Sequence, residues 1–405
     1  MSEDNLFVTL DDVPLSGKRV LVRVDFNVPI RNGKISDDSR IRACLPTITK
    51  VVQAGGRLIL MSHMGRPKEG KFDQAASLGL VADRLAALTG EKVSFVSDWA
   101  TADQPDNARI VLLENVRFQI GETKNEDQLA RKMATMCDVY VNDAFAAAHR
   151  THASTYGVAK YAPVACAGPL MVKEMEVLTA AFKKPARPMI AIVGGSKVST
   201  KLNILKSLLE RVDQLIIGGG IANTFLKATG VDIGSSLCED ELLANAREIL
   251  EIARKDGKHL PLPTDVVCGT TVTDYAEARV KPVGNIDKDD MILDIGPDTS
   301  RVYAEALMQA KTIIWNGPLG VFEIEQFSRG TGIVANAIAD SSAFSVAGGG
   351  DTLAAIAKFG IAPKLSYITT AGGAFLEFLE GKTLPAIAIL EERALAWRAT
   401  KREYS

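Results

Sequence analysis

Two lysines follow a pair of glycines near the middle of the chain, in the stretch Gly194-Gly195-Ser196-Lys197-Val198-Ser199-Thr200-Lys201. The apolar run 189–193 precedes this stretch and leucines at helical spacing follow it, so the sequence predicts a strand that turns straight into a helix. Backbone N–H groups and the positive end of the helix dipole at such a turn favour an anion. The spacing is not that of a Walker A loop. A phosphate-binding turn and a packing corner with solvated lysines both fit this stretch alone.

A second group of candidate residues lies in the first half of the chain, close to the ends of short apolar runs. One such residue alone is more often solvated or structural, but joint placement at strand ends favours a site. Arginine forks and neutral donors in one crevice suit a small anion with carboxylate and phosphate character. The members are Asp25, Asn27, Arg40, His63, Arg66, Arg117, His149, Arg150 and His152.

Two carboxylates stand out in the second half of the chain. Asp351 lies in the glycine-rich run 348–352, directly before a helical pattern. It could cap that helix, which contributes about 1 kcal/mol, or hold Mg²⁺ beside nucleotide phosphates. We favour the metal role because a second glycine loop lies in the same half. Glu323 follows the run 315–322, where it could accept hydrogen bonds from ribose hydroxyls or be solvated.

The elements that must position these residues are short β-branched runs that alternate with helical patterns. This alternation predicts the α/β class with parallel sheets. In open sheets of this class, ligands bind outside the carboxyl ends of the strands, where the candidate residues fall. The predicted strands are 20–24, 57–61, 110–113, 139–141, 189–193, 215–217, 291–295, 312–315, 344–347 and 367–369.

The length of 405 residues and the pattern of elements predict two doubly wound, Rossmann-like domains. We expect an N-terminal domain over 1–170, a connecting helix and hinge over 171–185, and a C-terminal domain over 186–383. The tail 384–405 has a helical pattern, and we expect it to pack back on the N-terminal domain.

The composition excludes several classes of protein. Apolar residues make up 47% of the chain and the net charge is −2, which is typical of a soluble globular protein and argues against nucleic-acid or membrane-surface binding. The five cysteines are scattered singly, as in a reducing compartment. Because the acidic stretch 1–5 lacks the features of a signal peptide and no apolar run is long enough to span a membrane, we expect a cytoplasmic protein.

Seven short motifs occur in order over nearly the whole chain. They are Arg23-Val24-Asp25-Phe26-Asn27-Val28-Pro29, Ser62-His63-Met64-Gly65-Arg66-Pro67, Leu113-Glu114-Asn115-Val116-Arg117-Phe118, Asn142-Asp143-Ala144-Phe145 with Ala148-His149-Arg150, Gly194-Gly195-Ser196-Lys197-Val198, Trp315-Asn316-Gly317-Pro318 and Gly348-Gly349-Gly350-Asp351-Thr352. Together they resemble the motif series of the phosphoglycerate kinase family. One departure is Ala146-Ala147, where the family often has Gly-Thr.

This resemblance implies that the N-terminal domain binds 3-phosphoglycerate or 1,3-bisphosphoglycerate and that the C-terminal domain binds ADP or ATP with Mg²⁺. It also implies a monomer. The implied glycerate ligands are Asp25, Phe26, Asn27, Arg40, His63, Met64, Gly65, Arg66, Arg117 and Arg150. The implied nucleotide ligands are Lys201, Gly296, Glu323, Gly349, Gly350, Asp351 and Thr352, with Asp351 on the metal. The implied catalytic residues are Arg40, Lys197 and Gly372.

The implied chemistry agrees with what the chain lacks. The acceptor would be a carboxylate, which is already ionised at neutral pH, so no general base is needed, and the chain has no kinase-type His-Arg-Asp motif. Lys197, Arg40 and Mg²⁺ suit the remaining task of offsetting charge on the transferring group. Because the two candidate sites lie in separate domains, we expect closure, with hinges near the connecting helix and Gly372-Gly373.

Two other classes of protein share some of these sequence features. A dinucleotide-dependent oxidoreductase also has strands that end in glycines, but the G-x-G-x-x-G fingerprint with its ribose-binding acid is missing. A non-catalytic binding or scaffold protein of the same fold would be expected to lose some of its charged site residues. Lys197, Lys201, Asp351 and Arg40 are all present.

Overall fold

The computed structural model describes residues 6–100, 108–369 and 371–403, and within them the chain divides into two compact units. The first unit comprises the described residues of Met1–Glu176 and Thr383–Ser405, and the second unit comprises those of Val177–Lys382. The acidic stretch 1–5 and the last two residues of the tail lie outside the described residues.

Strands β1 to β8 belong to the first unit and β9 to β16 to the second. Their bounds are β1 Arg19–Arg23, β2 Ile30–Arg31, β3 Lys34–Ile35, β4 Arg57–Met61, β5 Val93–Val96, β6 Ile110–Leu113, β7 Val139–Asn142, β8 Val164–Ala167, β9 Met189–Val193, β10 Gln214–Ile217, β11 Asp265–Gly269, β12 Arg279–Pro282, β13 Met291–Ile295, β14 Thr312–Asn316, β15 Phe344–Gly348 and β16 Tyr367–Thr369.

Thirteen α-helices lie between or after these strands in the described part of the chain. Their bounds are α1 Ser39–Gln53, α2 Gly79–Thr89, α3 Asp127–Thr135, α4 Val158–Tyr161, α5 Pro169–Lys183, α6 Leu202–Arg211, α7 Gly219–Ala228, α8 Leu243–Lys255, α9 Pro297–Gln309, α10 Arg329–Asp340, α11 Gly350–Phe359, α12 Gly372–Leu379 and α13 Pro385–Glu403. Among the described helices, none has the length and apolar composition needed to cross a membrane.

The core of the first unit is a six-stranded parallel sheet with the order β5-β6-β4-β1-β7-β8. Strands buried on both faces need continuous apolar runs rather than alternation, and β6 and β7 are buried along their whole length. Helix α1 packs an apolar stripe at helical spacing on the sheet, through Ile41, Cys44, Ile48 and Val51.

The last helix, α13, belongs to the first unit. The backbone N–H of Ala386 donates to the carbonyl of Ala148 at 3.1 Å. The guanidinium of Arg393 donates to the carbonyl of Ala162 at 2.7 Å, and Ala394 is part of the first unit's core. The C-terminal segment therefore completes the same fold that the N-terminal residues begin.

The second unit has a five-stranded parallel sheet with the order β10-β9-β14-β15-β16. Strands β9 and β14 are buried throughout, as their apolar composition requires. Both sheets are open, so the structure confirms the expected α/β class with two doubly wound parallel sheets.

A separate antiparallel sheet with the order β12-β11-β13 was not expected. The alternating pattern predicts the run Met291–Ile295 as a strand of a parallel sheet, but this run forms β13 and pairs antiparallel with β11, with an irregularity after Val267. An apolar run indicates that a strand is buried, but it does not indicate the direction of its neighbours. This small sheet has its own apolar core around Phe327.

Candidate functional site

The first candidate site lies at the carboxyl ends of β1 and β4, which are neighbours in the parallel sheet. The chain leaves β1 into a loop that contains Phe26 and Asn27, and it leaves β4 into Ser62 and Gly65. The N–H of Phe26 donates to the Ser62 hydroxyl at 2.8 Å, and the N–H of Gly65 donates to the Asn27 side-chain oxygen at 2.9 Å. These two hydrogen bonds hold the loops together.

Arg40 joins this site from the first turn of α1. Its guanidinium is hydrogen-bonded to the Asp25 carboxylate, whose side chain is only 13% exposed. The other oxygen of Asp25 accepts from the N–H of Asn27 at 3.1 Å. Asp25 therefore fixes both its own loop and the arginine beside it.

Arg117 enters the site from a short 3-10 helix after β6 and is buried. One terminal nitrogen donates to the Gly65 carbonyl, but its buried Nε has no partner among the described residues. Burial lowers the pKa of the Arg117 guanidinium to about 10, and repulsion from Arg150, Arg23 and Arg66 adds to this. A buried donor without a partner, among like charges, suits an anionic ligand.

His63 lies at the centre of these arginines. Burial holds the pKa of its imidazole well below the usual value, and Arg23, Arg117, Arg150 and Arg40 each lower it further. The ring is therefore neutral near pH 7. The guanidinium of Arg23 lies 3.1 Å from Nδ1 and can only donate, so Nδ1 accepts and Nε2 carries the proton.

Three buried residues that are not among the candidates from the sequence support this arrangement. Arg23, the last residue of β1, donates through Nε to the Ser154 hydroxyl at 3.0 Å. Ser154 in turn donates to the buried Glu122 carboxylate through its hydroxyl at 2.6 Å and its N–H at 3.0 Å. The only signal in the sequence was an arginine at the carboxyl end of a strand with an apolar centre.

The structure brings several of the expected glycerate ligands together, since Arg40 is hydrogen-bonded to Asp25, and Gly65 is hydrogen-bonded to both Asn27 and Arg117. Arg66 is exposed, and Arg150 is half-buried after the short helix Phe145–Ala147. The side chains of Phe26 and Met64 are part of the first unit's core, and the two residues are only 0% and 4% exposed. We call Arg23, Arg40, Arg117, Arg150 and His63 the basic cluster.

The second candidate site lies at the carboxyl ends of β9 and β14 in the second unit. Gly194 follows β9 and its N–H donates to the Asn316 carbonyl at 2.9 Å. A Cβ on Gly194 would lie 1.8 Å from the carbonyl oxygen of Pro318, so only glycine allows these two loops to touch. The close contact explains the glycine that follows the apolar run.

The stretch after Gly194 differs from the expected direct turn into a helix. Residues 194–201 form a loop, and α6 begins only at Leu202. Lys201 is half-buried and its ammonium donates to the Asn316 side-chain oxygen. Burial lowers the pKa of Lys201, while attraction to Asp351 opposes this. Lys197 is exposed.

A cavity of about 360 Å³ opens beside this loop. Its walls include backbone of glycines, apolar side chains and two carboxylates, which suits a flat ring system joined to a polar sugar and phosphates. The lining includes Gly195, Leu237, Pro318, Val321, Glu323 and Asp351. We call this space the glycine-lined cavity.

Other expected nucleotide residues lie near the cavity or behind it. The buried Thr352 hydroxyl accepts from the Gly317 N–H at 2.8 Å and donates to the Gly348 carbonyl at 2.9 Å, so it braces the glycine loops. Gly349 is the N-cap of α11 and Gly350 its first residue, directly before Asp351. Gly296 follows β13, where its N–H donates to the carbonyl of Asp265 at 2.9 Å.

Gly372, expected to be catalytic, is the first residue of α12. A Cβ there would have no atom within 4 Å apart from its neighbours in the chain. The N–H groups of a first helical turn have no partner within their own helix, so this end of α12 can donate to an anion.

The residues present fit a magnesium ion that arrives with a nucleotide. Mg²⁺ in such sites is held by one or two carboxylates together with phosphate oxygens and water. Asp351 is an exposed carboxylate on the wall of the glycine-lined cavity. Within residues 6–100, 108–369 and 371–403, no cluster of three or more metal-ligating side chains forms a separate metal site.

Two open parallel α/β sheets, one with a basic cluster and one with a glycine-lined cavity, define a two-domain α/β protein with a separate site in each domain. The family model for phosphoglycerate kinase matches residues 10–382. The solved structure of phosphoglycerate kinase from Coxiella burnetii is 51% identical, covers 96% of this chain and 100% of its own, and superimposes with a TM-score of 0.92. That of phosphoglycerate kinase from Pyrococcus horikoshii OT3 is 33% identical, covers 95% and 99%, and has a TM-score of 0.79.

The chain therefore belongs to the phosphoglycerate kinase family. It catalyses the reversible transfer of a phosphoryl group between 1,3-bisphosphoglycerate and ADP in glycolysis, which gives 3-phosphoglycerate and ATP. This membership excludes the oxidoreductase alternative, and the charged site residues that a scaffold protein would be expected to lose are all present.

Proposed function

We propose that the two units divide the substrates of this reaction, with the glycerate in the basic cluster and the nucleotide in the glycine-lined cavity. The observation that carries this proposal is the contrast in donors. Arginine side chains, including that of Arg117 with its unpartnered Nε, converge in the first unit's site, whereas the described residues that line the glycine-lined cavity include no lysine or arginine. The substrate domains proposed on this basis are 1–170 and 186–383, with 171–185 as the connecting segment.

In the basic cluster, the arginine forks would hold the carboxylate and phosphate groups of 3-phosphoglycerate. His63 would donate through Nε2, because its Nδ1 is occupied by Arg23. Asp25 and Asn27 would accept from or donate to the glycerate hydroxyl. The proposed set also includes Arg66 and the backbone of Gly65.

In the glycine-lined cavity, the apolar wall would take the base and Glu323 would accept from the ribose hydroxyls. Lys201, Gly349, Gly350 and Thr352 would lie along the phosphates. Asp351 would hold Mg²⁺, which supplies charge neutralisation and orientation of the phosphate oxygens.

The proposed chemistry needs no proton transfer to the acceptor. In the ATP-consuming direction, the ionised carboxylate of 3-phosphoglycerate attacks the γ-phosphorus. The bond from that phosphorus to the bridging oxygen breaks, and ADP leaves with the electron pair. Lys197 and Arg40 would offset the charge on the phosphoryl group in transit, with N–H groups at Gly372 as further donors.

Closure of the two domains about residues 171–185 and Gly372–Gly373 would bring the substrates together and exclude water. Small-angle scattering tests this step. We expect a smaller radius of gyration with both substrates bound than with neither, and an unchanged radius would count against closure.

We further propose that the protein acts as a monomer in the cytoplasm, without a nucleic-acid or membrane partner. The family membership and the small net charge of −2 support this. Light scattering on the purified protein should give the mass of one chain, whereas the mass of a dimer would overturn the proposal.

The experiment that tests the whole function is a coupled assay for ATP formation from 1,3-bisphosphoglycerate and ADP. We expect activity that needs Mg²⁺ and is lost on chelation. Asp351→Asn should raise the concentration of Mg²⁺ needed for half-maximal activity. An unchanged Mg²⁺ requirement in this variant would remove Asp351 from the metal site.

A further inference from the structure

The loop Gly194–Lys201 is held by Glu239, a residue that is not among the proposed nucleotide ligands. Glu239, in the segment between α7 and α8, accepts two hydrogen bonds from Ser199, which lies in the middle of this loop. One carboxylate oxygen accepts from the Ser199 N–H at 2.8 Å and the other from its hydroxyl at 2.5 Å. Both oxygens of one carboxylate are thus used on one residue.

Glu239 is itself fixed in place. Its own N–H donates to the Thr224 hydroxyl of α7 at 3.2 Å, and the neighbouring Leu237 carbonyl accepts from the Asn223 amide at 3.2 Å. Only 9% of Glu239 is exposed. Helix α7 therefore holds the segment that carries the carboxylate, and the carboxylate holds the loop.

Helix α7 also contacts the loop from a second direction. The N–H of Ile221 donates to the Gly195 carbonyl at 3.2 Å. A Cβ on Gly220 would lie 2.2 Å from the Ser196 carbonyl oxygen, so the helix backbone packs directly on the loop. The loop is fixed at its start by α7 and at Ser199 by Glu239.

Between these two attachments lies Lys197. Its side chain is exposed and, in the part of the chain that the structure describes, its ammonium has no hydrogen-bond partner. The backbone around it is ordered: the Lys197 carbonyl accepts from the Thr200 hydroxyl at 2.9 Å, and the Val198 carbonyl accepts from the Lys201 N–H at 2.9 Å. The position of Lys197 is therefore set by its backbone and not by a side-chain contact.

Glu239 is suited to this task because it is ionised. Burial raises the pKa of its carboxyl, but hydrogen bonds from Ser199 and attraction to Lys197 outweigh burial and hold the pKa below the usual value. An ionised carboxylate accepts through both oxygens, as the geometry requires.

We propose that Glu239 is a positioning residue that acts through Ser199 to hold Lys197 where phosphoryl transfer needs its charge. This inference rests on the role proposed above for Lys197. Placement of a charge in the transition state is sensitive to shifts of about 1 Å. Loss of the tether should therefore slow turnover while nucleotide binding is retained, because Gly195 is still held by Ile221 and Lys201 by Asn316.

The test is a double-mutant cycle in the ATP-forming assay. Glu239→Gln keeps the size of the side chain but leaves one acceptor where two are needed. We expect kcat to fall about tenfold, with the Kd for ADP changed by less than about twofold. Glu241→Gln, at an exposed carboxylate two positions along, is the matched control and should change neither.

The cycle is completed with Lys197→Ala. If Glu239 acts through Lys197, Glu239→Gln should lower kcat no further in the Lys197→Ala background. An equal fall in both backgrounds would overturn the proposal, because a general loss of structure would act regardless of Lys197. Ser199→Ala, which removes only the hydroxyl bond, should lower kcat by a smaller factor and serves if Glu239→Gln folds poorly.

Hydrogen exchange at the Ser199 amide tests the contact between Glu239 and Ser199 independently of the role proposed for Lys197. We expect faster exchange in Glu239→Gln than in the parent protein or Glu241→Gln, and unchanged exchange would overturn the tether. Full turnover in Lys197→Ala would instead refute the role of Lys197. The exchange result would then decide by itself whether Glu239 holds the loop.

Discussion

The basic cluster and the glycine-lined cavity solve two different recognition problems with different parts of the chain. The basic cluster uses side chains that are braced by other side chains, as in the buried, hydrogen-bonded series from His63 through Arg23 and Ser154 to Glu122. The cavity uses backbone loops that approach closely, with few charged groups. A small anion needs fixed charges, whereas a nucleotide offers area for contact.

The difference also predicts how each site responds to change. The basic cluster concentrates like charges in a buried place, so its stability depends on which groups carry protons. The cavity depends on glycine backbones. The two lysines beside it, Lys197 and Lys201, lie on a loop that is attached to α7 and to Glu239. Three substitutions test this contrast, from the largest expected effect to the smallest.

Lys197→Ala should show that the second site contains a residue for transfer as well as residues for binding. We expect kcat to fall by about 10²- to 10³-fold, as for loss of one preorganised donor, with the Kd for ADP changed by less than about threefold. Steady-state kinetics and calorimetric titration of ADP measure the two quantities. Lys206→Ala, which removes an exposed lysine paired with Glu248 on α8, should change neither. Equal losses in affinity and turnover would contradict the assignment.

His152→Gln should show that sensitivity to acid belongs to the first unit. Burial lowers the pKa of His152 to about 4 from 6.5, and Arg117, Arg23, Arg150 and His149 lower it further. As the pH falls, the imidazole of His152 is therefore protonated in the unfolded chain before it is protonated in the folded protein. The contribution of neutral His152 to the free energy of unfolding is complete above about pH 6.5 and is lost as the pH falls towards 4. About 2 kcal/mol of this free energy is lost between pH 7 and pH 5.

The free energy of unfolding in urea at pH 7 and at pH 5 measures this loss. We expect a smaller fall in His152→Gln than in the parent protein. His259→Gln, which changes the exposed histidine of the second unit, should keep the parent's fall. The same fall in all three proteins would contradict the assignment of acid sensitivity to His152.

Arg66→Ala should show that the two sites bind their ligands independently. Arg66 is exposed at the edge of the basic cluster, so we expect a modest effect, with the KM for 3-phosphoglycerate raised about tenfold and the KM for ATP nearly unchanged. The control Arg109→Ala removes an arginine paired with Glu91 outside the cluster. A rise in the KM for ATP alone would reverse the assignment of the two sites.

The sequence was informative where local pattern determines structure. Apolar runs indicated the strands, and the residues after them indicated the sites, because the carboxyl ends of parallel strands meet at one edge. Spacing alone left the stretch 194–201 open between an anion site and a packing corner. The motif series, with the family membership, decides what the enzyme does.

The remaining features depend on contacts distant in sequence. Arg23 meets Ser154, which is 131 positions away, and no local pattern indicates such a partner. Ser199 meets Glu239, 40 positions away, for the same reason. The direction of β13 depends on its pairing with β11 and not on its own residues. Buried polar networks are specified by the whole fold.

The central claim is that each unit binds one substrate. The most direct test is a pair of NMR titrations of the labelled protein, one with 3-phosphoglycerate and one with ADP and Mg²⁺. We predict that 3-phosphoglycerate shifts the backbone amides of 24–27, 63–66 and 117. ADP should shift those of 194–201, 317–323 and 349–352. Shifts at the ADP set on addition of 3-phosphoglycerate, with the 24–27 and 63–66 amides unmoved, would contradict the account.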